Sequence, residues 1–441
     1  MNRNEERKMF TSLDERIKQT NVDVIHCLNN TNPDAKREFL ADSSILVPRN
    51  EYGNLNYETI QKNIEILSQM QSQLSCMNMN EKHRLLYDMV VEDHIRKNQF
   101  LYANYHVNQS RSKDNLENEY VSLHKKINHE LYGMVDETVF RAIIHSKLSR
   151  INVDALNAAE AAEYDELLSV FEPVNGVELD CFIPRESTFN EFSRLMRIFL
   201  ENVIRHIPTE ERAFKVQEVC DITNEILVEE FAISDSDWSA LVEPDRVSAA
   251  TSQEKRQILY PGKRSRGDYS GEDVLAIIAH ELCVHAMRSI PYRECKMTSF
   301  SMGFPNYETF EEGIAKAVEQ AVVGKYQMPG LLHYVSVGLA EILHKNFRET
   351  YEIQVKLEHL TGGVSESQCF DSVQRAFRGT GLLPNNKDLV YFNGSNTVWK
   401  YIEEHINDPL YLLEQLFLSG KTDATEEKHL WLVYEMRHGG L

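Results

Sequence analysis

The chain has 441 residues, a formal net charge of −21 at pH 7, 42% apolar residues and 9% aromatics. That apolar content excludes a disordered chain and allows a large core, in several domains or one body with insertions. The surplus of acid opposes capture by nucleic acid or an anionic membrane through the overall field, so neither is expected as a partner.

The N-terminus, MNRNEERKMFTSLDERIKQ, is too charged for a signal peptide, and no apolar run approaches the roughly 18 residues of a membrane span. Seven cysteines (27, 76, 181, 220, 283, 295, 369) are scattered and form no CxxC pair, which favours a reducing, cytoplasmic setting over a disulfide framework. Residues 9–27, 57–75, 81–104, 113–131, 137–150, 187–206 and 211–231 repeat apolar side chains at three-and-four spacing, the signature of helices. Loops are expected at NNTNPDAK (29–36), LVPRNEYGN (46–54) and the long stretch 247–270. Within that stretch QILY, and later DLVYF (388–392), are short and β-prone enough to be strands. The fold class expected is therefore mainly α with a small β element (α+β). A boundary near 150–185, at the acidic AAEAAEYDE, would separate an N-terminal helical region (1–150) from a second region (151–441).

Ser270 followed by Gly-Glu-Asp is a helix entry, with a serine cap and acids in the first turn, and Pro291 is its stop. Between them the apolar residues cover nearly every side, as in a core helix. His280, Glu281 and His285 in AHELCVHAMRSIP are therefore out of place unless paired. A divalent metal provides the pairing through neutral imidazole nitrogens, and zinc is the natural candidate. The competing reading is two satisfied core histidines. Histidines five apart point about 140° away from each other on a regular helix, whereas four apart differ by about 40°. Both can reach one ion if the helix widens to i→i+5 bonding, so a π-bulge is expected between 280 and 285. A third ligand should come from a second helix, and YETFEEGIAKAVEQAVVG (307–324) offers Glu312, with Gly313 and Ala315 small enough to let it approach the first helix. The alternative for Glu312 is a capping box with Thr309.

With these residues in view, the chain resembles the QEGLA-motif proteins, which include the microtubule-associated tyrosine carboxypeptidases. HELCVH fits the family's H-E-x-x-x-H, and EEGIA (311–315) stands where QEGLA should, with glutamate for its first glutamine and isoleucine for its leucine. Weaker echoes run collinearly through TNPDAKREFL, ELYG, DRVSAATSQEKRQI, RAFRG and KDLVYFNGSNTVWKYI, so the likeness spans about 28 to 405.

The resemblance implies a zinc-metallopeptidase-like helical body, His280, His285 and Glu312 as metal ligands, and Glu281 as general base. It implies a carboxypeptidase acting on a peptide or protein C-terminus, with tubulin the substrate of characterised members. Tyr391, in the shared DLVYFNG segment, is the candidate donor to the oxyanion. Arg288 and Arg378 are candidates for gripping the terminal carboxylate. Lys263, Arg264 and Arg266 form a local basic run able to receive an acidic tail. The alternatives are an endo- or dipeptidyl metallopeptidase, or a non-catalytic protein whose metal site is closed by a fourth ligand such as Cys283.

Overall fold

The computed structural model describes residues 3–110, 118–171, 183–208, 211–233, 237–263, 267–292, 295, 297 and 299–438. It divides into two compact units, neither of them a single stretch of chain. One is Ser12–Ile183 with Gly330–Phe392; the other is Arg3–Thr11 with Pro184–Pro329 and Asn393–Leu441.

Among the described residues, the regular elements of the first unit are all helices. Helices Tyr57–Cys76, Glu81–Ser110 and Asn118–Tyr132 pack in sequence on one another. Their contact buries Ile60, Phe100, Leu101, Ile127 and Leu131 with Val24 and Leu28, and each large apolar side chain removed from water contributes about 1.5–3 kcal/mol. A second group, Leu331–Glu341, Phe347–Leu360 and Glu366–Ala376, packs together in the same unit.

The second unit carries a three-stranded sheet in the order β1-β3-β2, with β1 Ser239–Glu243, β2 Ala250–Ser252 and β3 Gln257–Pro261. QILY is thus the central strand, parallel to β1 and antiparallel to β2, with Ile258, Leu259 and Tyr260 buried. Of the two flanking strands, β2 lies in the stretch 247–270 where a loop was expected, and β1 lies ahead of it. Around the sheet, Phe192, Met196, Trp238, Tyr260, Ile278, Ile314, Trp399 and Phe417 belong to one continuous core.

DLVYF is not a strand. A 3₁₀ turn at Asn386–Asp388 leads into the helix Leu389–His405. Buried residues at 389, 392, 395, 398, 399 and 402 show the helical period that a five-residue window of β-prone side chains concealed.

Contrary to the reading that no run approaches a membrane span, Gly271–Tyr292 is long and apolar enough to cross one, but most of its residues are buried inside the protein, as befits a core helix. The six described cysteines, all but Cys181, are free thiols.

Candidate metal centre

The candidate site belongs to the second unit. Its first element, the histidine helix, starts at Gly271 with a full capping box: the Ser270 side chain accepts from the Asp273 backbone, and Asp273 reaches back to Ser270. An antiparallel bridge between Phe214 and Tyr269 anchors the residues just before it. The helix is α-helical to His280 and π-helical over Glu281–Ala286, with Met287 N–H donating to the Leu282 carbonyl at 2.9 Å. That i→i+5 bond is the local widening the five-residue histidine spacing demands. The two rings consequently stand together, with centroids 4.9 Å apart.

The second element, the glutamate helix, runs Tyr307–Val323 and ends on Gly324 in the left-handed region at φ +81°. It begins at Tyr307, so Thr309 is inside the helix and cannot cap it. Glu312 is therefore not a capping-box residue; it lies one turn further in and turns its carboxylate to the histidines. Its Oε2 lies 3.6 Å from His280 Nε2 and 3.9 Å from His285 Nε2. One ligand atom from each of the three residues falls within 4.8 Å of the others, so the group could hold a metal ion. Cys283 is not among the converging donors; burial pushes its thiol up to about 12.

Gly313 does not serve the helix contact expected of it. A Cβ there would sit 2.1 Å from the carbonyl oxygen of Gly394, and a Cβ on Gly394 would sit 2.0 Å from that of Thr309. The glycine pair brings the glutamate helix against Leu389–His405, and the glutamate helix also packs on the histidine helix.

Both imidazoles are held from behind, a feature that spacing alone did not reveal. His280 Nδ1 lies 3.1 Å from Glu319 Oε2, and His285 Nδ1 lies 2.7 Å from Glu311 Oε1. A carboxylate on Nδ1 leaves Nε2 as the nitrogen that faces Glu312, the usual way a ligating histidine is oriented. Glu319 also accepts from Lys316 at 2.7 Å. Glu311 accepts from Lys421 and lies 3.4 Å from Arg288.

These contacts set the charges. Burial alone would lower the His280 pKa, yet Glu312 and Glu319 outweigh it and raise the group to about 9. Burial would raise the pKa of Glu311, but Lys421, His285 and Arg288 hold it down at about 2. Glu319, opposed likewise by burial, is held at about 2 by His280 and Lys316. A site that draws a proton onto a buried imidazole so strongly is one that calls for a cation, and a two-imidazole, one-carboxylate donor set suits a divalent ion. The residues present therefore fit a metal.

Glu281 is 5% exposed, and its Oε2 accepts from the Thr251 hydroxyl of β2 at 2.8 Å. Thr251 was not anticipated; the nearest hint is its place in the DRVSAATSQEKRQI segment.

A family model described as microtubule-associated tyrosine carboxypeptidase matches residues 184–440. The chain belongs to this family. No curated protein and no solved structure matches it. The family match begins where the long Pro184–Pro329 stretch of the second unit begins, and it covers the whole donor set.

The remaining sequence candidates are placed as follows. Arg288 is fully buried, its Nη2 donating to the Thr422 carbonyl at 2.7 Å, so it has no surface from which to grip a substrate and acts as a structural partner of Glu311. Arg378 and Tyr391 belong to the Gly330–Phe392 part of the first unit. There Arg378 lies 3.7 Å from the buried Asp388, which also takes both arms of Arg375, and the Tyr391 hydroxyl accepts from Arg375 at 3.5 Å. Lys263 pairs with Asp245 at 2.6 Å on the surface. Arg264 and Arg266 lie outside the described residues.

Proposed function

We propose that the chain is a zinc metallocarboxypeptidase that removes the last residue, tyrosine in the leading case, from an acidic protein tail such as that of α-tubulin, in the cytoplasm. The observation that carries this reading is the convergence of His280 Nε2, His285 Nε2 and the Glu312 carboxylate, with a second carboxylate behind each ring. Three protein donors of this kind are the pattern of catalytic zinc, which keeps a further position for water or substrate. Membership of a carboxypeptidase family supplies the reaction class.

When bound there, zinc supplies a Lewis acid that brings the pKa of a water toward ~7 and polarises the scissile carbonyl. Glu281, next in sequence to a ligand, takes one proton from the attacking water. One of its oxygens is fixed by Thr251, which leaves the other to carry that proton. Glu281 then returns the proton to the departing amine, so the water oxygen ends in the new C-terminal carboxylate. With Nδ1 of each ring held by Glu319 and Glu311, Nε2 of His280 and of His285 is the nitrogen left to donate to the ion.

Recognition of the substrate's acidic tail is assigned to a basic run outside the donor set. Lys263, with Arg264 and Arg266, is the proposed receiver of the acidic tail.

The deciding experiment is mass spectrometry of peptides ending in tyrosine or phenylalanine, with free and blocked C-termini, alongside metal analysis of wild type and Glu281→Gln. Loss of the terminal residue only from free ends is expected, with cleavage abolished and zinc retained in Glu281→Gln. Cleavage of blocked peptides would favour an endopeptidase, and undiminished cleavage by Glu281→Gln would remove that residue from its role.

A further inference from the structure

The two orienting carboxylates are not equivalent. Glu319 is partly exposed and pairs with Lys316 one turn away on its own helix. Glu311 is 2% exposed and faces two cations from distant parts of the chain, Lys421 and Arg288, both with no exposure at all. We propose that Lys421 is a positioning residue for the metal centre: by holding Glu311 it fixes the ring of His285, and so sets how tightly the ion is bound. The proposal rests on the metal-centre reading above.

The chain takes considerable trouble to deliver this ammonium. Lys421 N–H donates to the Phe300 carbonyl at 3.0 Å, and the Lys421 carbonyl accepts from Phe304 N–H at 2.9 Å. Gly420 just before it has φ +71°, and a Cβ there would lie 2.6 Å from the Phe300 oxygen, so only glycine fits. Arg288 seals the following residue through the Thr422 carbonyl. A segment 110 residues beyond Glu311 is thus pinned with its lysine pointing inward.

A buried ammonium is costly, and burial pulls the Lys421 pKa below its ordinary value against the attraction of Glu311. Neutralising Glu311 does not require it, since Arg288 is already there. What Lys421 adds is a contact on Oε1, the same oxygen that His285 Nδ1 touches. Arg288 lies nearer the other oxygen, Oε2. Lys421 therefore restrains the atom that sets the ring orientation. Position 311 is also where the chain departs from the QEGLA motif, carrying a carboxylate where the motif has a neutral amide, and Lys421 touches that carboxylate.

The test measures zinc affinity by competition with a chelator on metal-stripped, reloaded full-length protein. Wild type, Lys421→Met, Glu311→Gln and the double variant are compared, with thermal unfolding of each zinc-free form. Lys421→Met leaves Glu311 and Arg288 as a one-to-one buried pair, so the zinc-free fold should survive. Its zinc dissociation constant should rise roughly 10- to 100-fold, the range for loss of an outer-shell partner. In the Glu311→Gln background the same change should add almost nothing, because Lys421 acts through Glu311. Should Lys421→Met not fold, Lys421→Gln keeps a donor to Glu311 without the charge, and a smaller rise in the same constant is expected. An unchanged constant, or losses that multiply in the double variant, overturns the proposal. Wild type that takes up no zinc sinks the metal-centre reading itself, whereas wild-type uptake with an unaffected Lys421 variant sinks this inference alone.

Discussion

Replacing Gly313 with alanine adds one methyl group to the helix that carries Glu312, at a point facing away from the histidines. The new Cβ would stand 2.1 Å from the Gly394 oxygen, 2.4 Å from its carbonyl carbon and 2.7 Å from Val398 Cγ2. Ordinary contact begins near 3.4 Å, and two of the three obstructing atoms are backbone, so the helices have to part by about an ångström. Overpacking of this kind costs about 1–3 kcal/mol, well within the ~5–15 kcal/mol that keeps a domain folded. The protein should therefore remain folded, with its melting temperature lowered by a few degrees. Glu312 is the neighbouring residue, and a displacement of that size at a reacting group can cost about 100-fold in rate. Chelator competition and peptide hydrolysis on the same preparation should both show the loss, and Gly394→Ala, which meets the Thr309 oxygen at 2.0 Å, should reproduce it from the opposite helix. If Gly313→Ala binds zinc and cleaves as the wild type does, the crossing has more room than the backbone separation allows and the link from helix contact to ligand position is wrong.

Acid should destabilise the fold before any carboxylate of ordinary pKa is reached. Burial lowers His94, His333 and His429 to about 4 and His124 to about 3, so each stays neutral in the folded state while the unfolded chain protonates it near 6.5. The stability they contribute is present above about 6.5 and is lost as pH falls toward 4, at about 1.4 kcal/mol per pH unit for each such histidine. Denaturant titrations at pH 7, 6 and 5 read this directly, and a midpoint that does not move would refute it. Reversing the charge of Lys263, which stands on the surface paired with Asp245, should weaken binding of an acidic tail peptide and flatten its salt dependence while leaving hydrolysis of a short neutral peptide unchanged. Equal effects on both peptides would remove Lys263 from tail recognition.

How much of this was legible in the sequence depended on the range of the interaction. The Ser270 cap, the π-bulge and the Gly324 stop were readable because each is decided within a few residues of chain. The helix at 389–405 was misread for the same reason in reverse: DLVYF has strand-like side chains, and only the longer series of buried positions discloses the helical period. Gly313 was recognised as a contact residue, but the partner, Gly394, lies 81 residues on and carries no local signal. Glu311 was seen only as a departure from a motif letter; that its carboxylate reaches back to His285 follows from two helices packing, which spacing cannot supply. Lys421 sits in a stretch with no motif at all. Arg288 looked available because it lies three residues past His285, yet the turn that follows this core helix is itself buried, as its zero exposure shows.

The charge of the assembled site gives a reason for this arrangement beyond orientation. Glu281, Glu311, Glu312 and Glu319 are four carboxylates, met by three cations, Lys316, Lys421 and Arg288, so without a metal the group carries one surplus negative charge. Against burial, the hydrogen bonds to Glu312 and Glu319 raise His280 to about 9, so a proton on that ring can balance the surplus. A divalent ion would replace the proton and reverse the balance to one surplus positive charge. A site so poised offers an anionic C-terminus no net attraction until it is loaded and attracts it afterwards, so binding of substrate and of metal should be coupled. Removing Lys421 shifts both balances down by one and leaves the loaded site neutral. The variant should then lose affinity for a peptide with a free terminal carboxylate more than for its amidated counterpart, measured at saturating zinc. Equal losses for the two peptides would show that the buried lysine acts on geometry alone, with no share in the field that the substrate meets.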